Sequence, residues 1–367
     1  MTDMKNRQER MTKRYKRILK LFLAGLLIFL AACSSNEEST KTIGIAMPSK
    51  ALERWEKDGD YMVEKFKELG YETDIQYAQD QVPTQVSQIE NMITKGVDVI
   101  VIASIDGEAL TDVVDKAKGQ DIPVIAYDRL IMNAEGVDYY ATFDNFGVGI
   151  LQGSYIVDEL DLDNQEGPFN IELFGGAPDD NNARFFYNGA LSVLQPYIDA
   201  GVLNVKSGQT EFSRIAIQNW DGANAQARMD NLLSANYTAD QVDAVLAPND
   251  AVAMGIVSSL RSVGYGTNER SMPVITGQDA ETASVKSIIE GGQSMTVFKD
   301  TQKLADVTAK MVDQILTGEE VEVNDRETYD NNTKIVPTNL LIPVAVDSQN
   351  YQEILIDSGY LLESDIQ

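Results

Sequence analysis

The chain runs to 367 residues and carries 57 acidic side chains against 30 basic ones, a formal charge of -27. That balance disfavours nucleic acid, whose phosphates need a basic surface. The absence of histidine and the single cysteine, Cys33, remove Ser–His and Cys–His nucleophilic catalysis, disulfides and the common zinc sites.

The N-terminus is the first informative segment. Lys13, Arg14, Lys16, Arg17 and Lys20 precede an apolar run over 21–30 that ends in Leu30-Ala31-Ala32-Cys33. A basic start, an apolar middle and small residues before the break are the parts of a bacterial export signal, here residues 1–32. A cysteine directly after the small pair makes Cys33 the expected lipidation site and the first mature residue. The alternative is an uncleaved anchor, but the apolar run is only half of the roughly 20 residues a spanning helix needs. Residues 33–41 are short and polar and read as a flexible tether. Removing the basic leader makes the mature part still more acidic, which favours solubility and disfavours broad adhesion to anionic lipid.

From residue 42 short apolar runs alternate with amphipathic stretches. Strands are expected at 42–47, 73–77, 97–103, 123–127 and 139–143. Trp55, Met62, Phe66 and Leu69, and then Val86, Ile89, Met92 and Ile93, have helical spacing. Gly70, Gly96 and Gly119 end helical stretches, where a glycine supplies the left-handed cap. The segment 97–103 is apolar on both faces, as a parallel strand covered by helices requires. A second series follows residue 144, with strands at 170–174, 242–247, 274–277 and 295–298. Two β-α-β series predict an α/β protein of two lobes, and the length beyond Ala32 exceeds one ordinary core.

In open parallel sheets ligands sit beyond the carboxyl ends of the strands. Six such ends are polar here: Lys50 with Arg54-Trp55, Asp128-Arg129, Asp179-Asp180-Asn181-Asn182 with Arg184, Asn249-Asp250, Gln278-Asp279 and Lys299. A sugar offers hydroxyls that both donate and accept, and apolar C–H faces. Asp accepts, Arg and Lys donate, Asn and Gln do both, and planar groups grip two hydroxyls at once. Aromatic rings cover the C–H faces, and Trp55 and Trp220, the only tryptophans, both adjoin polar clusters. Each group also has a structural reading: Asp128-Arg129 as a surface ion pair, Asn249-Asp250 and Gln278-Asp279 as helix caps, Lys50 and Lys299 as solvated cations, Trp55 as core.

The ordered series Gly44-Ile45-Ala46-Met47-Pro48, Ile125-Ala126-Tyr127-Asp128-Arg129-Leu130, Phe143-Asp144-Asn145, Asp180-Asn181-Asn182-Ala183, Thr276-Gly277-Gln278-Asp279-Ala280 and Phe298-Lys299-Asp300-Thr301 resembles the type I periplasmic sugar-binding proteins of ABC transporters. Its nearest branch looks like the xylose-binding and multiple-sugar-binding receptors. The resemblance implies two Rossmann-like lobes with parallel sheets, joined by a three-crossover hinge and closing over one monosaccharide of the xylose, glucose, galactose or arabinose class. It implies an N-terminal lobe of residues 43–144 plus 301–334 and a C-terminal lobe of 145–300 plus 335–367. Its sugar-binding positions carry over to Lys50, Arg54, Trp55, Asp128, Arg129, Asn182, Arg184, Trp220, Asn249, Asp250, Gln278, Asp279 and Lys299.

Together these readings predict a lipid-anchored, extracytoplasmic, monomeric receptor that passes a sugar to a membrane ABC permease. No catalysis, cofactor or metal is expected. The Asp-x-Asp start at Asp161 lacks the glycine and distant glutamate of a calcium loop. The rivals are a sensor presenting its closed form to a chemoreceptor or kinase, and an exported glycosidase, which needs two carboxylates flanking one bond. A sugar-responsive gene regulator would need a DNA-binding N-terminus, and the export signal occupies that place.

Overall fold

A computed structural model describes residues 40–366, together with Met4, Met11 and Tyr15. Cys33, the rest of the segment expected to be an export signal and most of the expected tether lie outside the described residues. Lys41 already belongs to the folded part: its carbonyl accepts from the Glu72 N–H at 2.9 Å and its ammonium pairs with Asp98 at 2.8 Å. Residue 41, expected in the tether, is therefore held by the first sheet instead.

The chain opens with β1 (Thr42–Met47), β2 (Glu72–Tyr77), β3 (Val99–Ile102), β4 (Val124–Tyr127) and β5 (Tyr139–Phe143). It continues with β6 (Phe169–Leu173), β7 (Leu203–Val205), β8 (Ala244–Leu246), β9 (Val274–Ile275) and β10 (Met295–Phe298), and ends with β11 (Thr338–Leu341) and β12 (Val344–Asp347). The first sheet is parallel, in the order β11-β5-β4-β3-β1-β2. The second runs β7-β6-β8-β9, also parallel. Gln278, just past β9, bridges to Val297 in β10, which pairs antiparallel with β12.

The two-sided burial expected of the third strand is present. All four residues of β3 are buried, with Val99 and Val101 in one core layer and Ile100 and Ile102 in the other. Helices Glu53–Glu68 and Thr301–Thr317 pack on each other, and Trp55, Phe66, Leu304 and Val312 from them join the first layer. Val82–Lys95 and Thr111–Lys118 supply Ile89, Met92, Val113 and Val114 to the second. Gly96 takes the expected left-handed cap, φ 75°, and Gly70 follows its helix at φ 86°. Gly119 does not: its φ is -66°, and the left-handed turn falls two residues later at Asp121, φ 57°.

The chain leaves the first sheet after β5, returns after β10, and leaves again between β11 and β12, giving three crossovers. One expected boundary needs correction. The C-terminal lobe expected to begin at residue 335 begins later, because β11 pairs in register with β5, from Thr338 opposite Tyr140 to Leu341 opposite Phe143. Val336 is fully buried in the first lobe's core and Leu340 packs against it, which holds the segment there. The last crossover is thus Ile342-Pro343.

In the second lobe, helices Asn145–Glu159 and Asn181–Asp199 touch backbone to backbone. A Cβ on Gly149 would lie 2.0 Å from the Phe186 carbonyl, and one on Gly189 would lie 2.1 Å from the Phe146 carbonyl. Only glycine permits this approach. It fixes the helix whose first turns present Asn182 and Phe186 to the space between the lobes.

Candidate functional site

Helix Glu53–Glu68 starts just past β1 and buries Arg54 and Trp55 in its first turn. Arg54 reaches three carboxylates: Asp58 at 2.9 Å one turn on, Asp128 at 3.0 Å and Asp279 of the other lobe at 3.5 Å. Lys299, on the crossover after β10, lies 3.3 Å from Asp279 and 3.6 Å from Asp128. Arg129 pairs with Asp180 across the lobes at 2.8 Å and donates to the Ser104 carbonyl at 3.1 Å.

Asp128 stands at the end of β4 with φ 59°. Its carbonyl accepts from the Tyr140 hydroxyl (2.6 Å), the Thr142 hydroxyl (3.0 Å) and the Asn182 amide (2.7 Å). Three donors on one carbonyl hold a backbone state that a non-glycine residue rarely adopts. Asp279 (φ 99°) and Trp220 (φ 57°) are also left-handed. Three left-handed residues of different segments thus meet at one cavity.

Two indoles complete the walls. The Arg54 and Arg129 guanidiniums lie 4.3 and 5.0 Å from the Trp55 ring centre, within cation–π range. Trp220 meets Phe186 edge to face, centroids 6.2 Å apart. Gly176 lies against Trp220, and a Cβ there would sit 1.9 Å from the ring. Gly176→Ala should therefore displace the indole and weaken ligand binding at least tenfold while the protein stays folded; calorimetry beside a melting curve checks both.

The space between these walls, its open side included, is about 280 Å³. Ten of the thirteen residues expected from the sequence line it: Arg54, Trp55, Asp128 and Arg129 from the first lobe; Asn182, Trp220, Asn249, Gln278 and Asp279 from the second; and Lys299 from the hinge. Three do not. Lys50 turns outward, pairs with Glu56 at 2.8 Å and lies over the Tyr77 ring. Arg184 is exposed and stacks on Phe212 at 4.7 Å. Asp250 is fully buried behind the wall, where its oxygens accept from the Glu281 N–H, Gln293 and Thr296 at 2.9 to 3.1 Å. That acceptor capacity is spent inside the protein.

Asn249 keeps both of its sequence readings: its side chain caps helix Asp250–Ser262 by accepting from Val252 at 3.1 Å, and it still faces the cavity. Sequence reasoning missed Leu52, Asp180 and Phe186. Asp180 lay in the polar run already noticed, and Phe186 follows Asn182 by one helical turn, a spacing that could have found it. Nothing in the sequence marked Leu52.

Burial would push the Asp128 carboxyl up, but Arg54, Lys299 and Arg129 overcome it and hold it at about 2. Asp58 behaves oppositely: burial raises it to about 6 despite Arg54. Glu281, behind Asp279, is raised by burial and by Asp279 and Glu53 to about 7. Carboxyls raised on folding bind more protons folded than unfolded, so stability falls as pH rises through these values. Asp128 acts only as pH drops through about 2 to 4. The unfolding temperature should be several degrees higher at pH 5 than at pH 8, and a flat profile between them would contradict this assignment.

The periplasmic binding protein domain matches residues 43–320. The chain belongs to the periplasmic binding protein family. It is 57% identical over 347 residues to the multiple sugar-binding periplasmic protein SbpA of Azospirillum brasilense, covering 93% of this chain and 97% of that one. It is 56% identical to the multiple sugar-binding periplasmic receptor ChvE of Rhizobium radiobacter, covering 92% and 94%. An ABC transporter solute-binding protein of Clostridium phytofermentans, solved with bound β-D-glucose, superposes with a TM-score of 0.86 at 50% identity, over 89% of this chain and all of that one. These relatives are solute-binding receptors, not enzymes.

In this periplasmic binding protein the lobes are closed on each other. Arg54–Asp279, Arg129–Asp180 and Asn182 with the Asp128 carbonyl all cross the cleft. A further contact lies away from the cavity: the Thr282 hydroxyl donates to Glu53 at 2.9 Å, and Lys57 holds Glu53 at 2.7 Å. Such a contact stabilises closure whatever ligand is inside. Glu53 also accepts from the Thr282 N–H at 3.4 Å, so Glu53→Ala should weaken every ligand by the same factor, about 2- to 12-fold for each hydrogen bond lost, with the rank order among ligands unchanged in calorimetry.

Proposed function

We propose that this protein is the lipid-anchored, extracytoplasmic receptor of an ABC sugar importer, and that it holds one aldose of the xylose, glucose, galactose or arabinose class between its lobes. The observation that carries the reading is the charge and ring content of the cavity. Three cations, Arg54, Arg129 and Lys299, face three carboxylates, Asp128, Asp180 and Asp279, beside two indoles. The formal charges cancel, so a neutral ligand leaves no unpaired charge behind. The groups present are those that grip hydroxyls, and the Trp220 N–H and the Gln278 carbonyl have no partner among the described residues. Both are buried, so a ligand that supplies an acceptor and a donor satisfies them. The β-D-glucose in the Clostridium phytofermentans relative supports the same ligand class.

Function then follows from hinge closure. The ligand bridges groups of both lobes and favours the closed form by its difference in affinity for the two states. No bond is made or broken, and the closed receptor, a monomer, docks on its permease. Attachment through Cys33 keeps it at the membrane. Calorimetry against a panel of aldoses is the test: at least one should bind with micromolar or tighter affinity, and silence across the panel at millimolar sugar would end the proposal. For the anchor, Cys33→Ala should move the protein from the membrane fraction to the soluble one.

A further inference from the structure

The mouth of the cleft holds a second chamber. Its space, counted with the solvent open to it, is about 810 Å³, against about 280 Å³ for the inner space counted the same way. The two chambers share Leu52, Trp55, Arg129 and Trp220, so these four side chains form the partition between them. Beyond it both lobes contribute: Asp80 and Ile105 from the first, Asp179, Asn219 and Asp221 from the second. The Gly107 N–H donates to the Asp179 carbonyl at 3.4 Å, so the lobes also meet here.

The chemistry outside repeats the chemistry inside. Carboxylates and an amide stand beside the same two indoles, the combination that suits a ring with hydroxyl edges and C–H faces. Asp80 and Asn219 both hold left-handed backbone, φ 56° each, so non-glycine residues are constrained on this wall as they are within. Trp220 belongs to both chambers, is 5% exposed, and its N–H has no acceptor among the described residues. An aldose alone leaves the outer chamber to water. A sugar with a glycosidic substituent fills both.

We propose that the outer chamber is a second sugar subsite, and that the ligands of this receptor include aldosides, disaccharides above all, with one ring inside the partition and the next beyond it. This rests on the reading of the inner cavity as an aldose site. The test is calorimetry with D-glucose, cellobiose, maltose and p-nitrophenyl β-D-glucoside, on the natural protein and on two variants. Ala51 is exposed and lines only the outer chamber, so Ala51→Trp fills it. Asp80→Asn removes a charge there while keeping a residue type that tolerates positive φ.

At least one glycoside should bind the natural protein within about tenfold of glucose. Ala51→Trp should weaken that glycoside at least tenfold and Asp80→Asn at least threefold, with glucose unchanged within twofold in both. If glucose binds and no glycoside does, the outer chamber is a solvent-filled mouth and the proposal is overturned. It is overturned equally if both variants leave glycoside affinity unchanged. Should neither glucose nor any glycoside bind while another aldose of the panel does, this proposal is overturned and the aldose reading stands; silence across all the aldoses overturns both. Should Ala51→Trp not fold, Asp80→Asn decides.

Discussion

Arg54→Ala should abolish sugar binding at millimolar ligand and lower the unfolding temperature by roughly 5 to 15 °C. Arg54 is 5% exposed and touches Asp58, Asp128 and Asp279. Removing one partner of a buried ion pair typically costs about 3–5 kcal/mol, because the charge left behind has no water to return to. Lys299 still reaches Asp128 and Asp279 directly, but Asp58 loses the guanidinium that opposes its burial. Its carboxyl, already raised to about 6, should then stay protonated at neutral pH. The affinity loss has a separate cause: Arg54 is the planar donor that, beside Lys299, ties both lobes' carboxylates to one point. Arg54→Lys separates the two effects. A lysine restores charge and part of the stability, but not the planar fork that serves several acceptors at once. Calorimetry and melting curves on the two variants should show both defects in alanine and mainly the binding defect in lysine. Tight binding by Arg54→Ala would remove this residue from the site.

How much of this was legible in the sequence depended on whether the information was local. The parallel strands were, because β3 and β4 are short runs of Val, Ile, Ala and Tyr buried on both faces. β11 and β12 were not: Thr338–Leu341 and Val344–Asp347 are four-residue segments only two residues apart, yet they join different sheets. Only the distant register with β5 separates them, and no local pattern records it. The site divides in the same way. Polar residues at strand ends located ten cavity residues, since topology alone sends those ends to the cleft. Asp250 was misread because its immediate neighbour Asn249 does face the cavity, while its own orientation is set by Gln293 and Thr296 more than forty residues later. Lys50 and Arg184 stand outside the cavity lining because a long cation can choose between a cleft and a nearby ring or carboxylate. Here Tyr77 with Glu56 holds the one and Phe212 the other.

Asp279→Asn should weaken sugar binding at least 100-fold and leave the unfolding temperature within a few degrees of the natural protein. Asn matches Asp in shape and accepts the left-handed backbone that residue 279 requires at φ 99°. What it loses is charge. Asp279 is the carboxylate that both Arg54 and Lys299 reach from the second lobe's side, at 3.5 and 3.3 Å. An ionised acceptor gripping a hydroxyl contributes about 1.5–3 kcal/mol per bond, roughly 10- to 150-fold, and a carboxylate can make two. Removing it also leaves three cations against two carboxylates on the cavity wall, so a neutral sugar no longer completes a balanced site. Asp250→Asn supplies the contrast. Its oxygens accept from the Glu281 N–H, Gln293 and Thr296, and an amide NH₂ there would face donors with a donor. That variant should melt several degrees lower, while a folded preparation keeps most of its sugar affinity. The pair thus assigns binding to one aspartate and support to the other. If calorimetry and melting curves returned the reverse pattern, the ligand would lie on the far side of the Gly277 turn from the cavity, and the inventory of gripping groups would have to be drawn again from there.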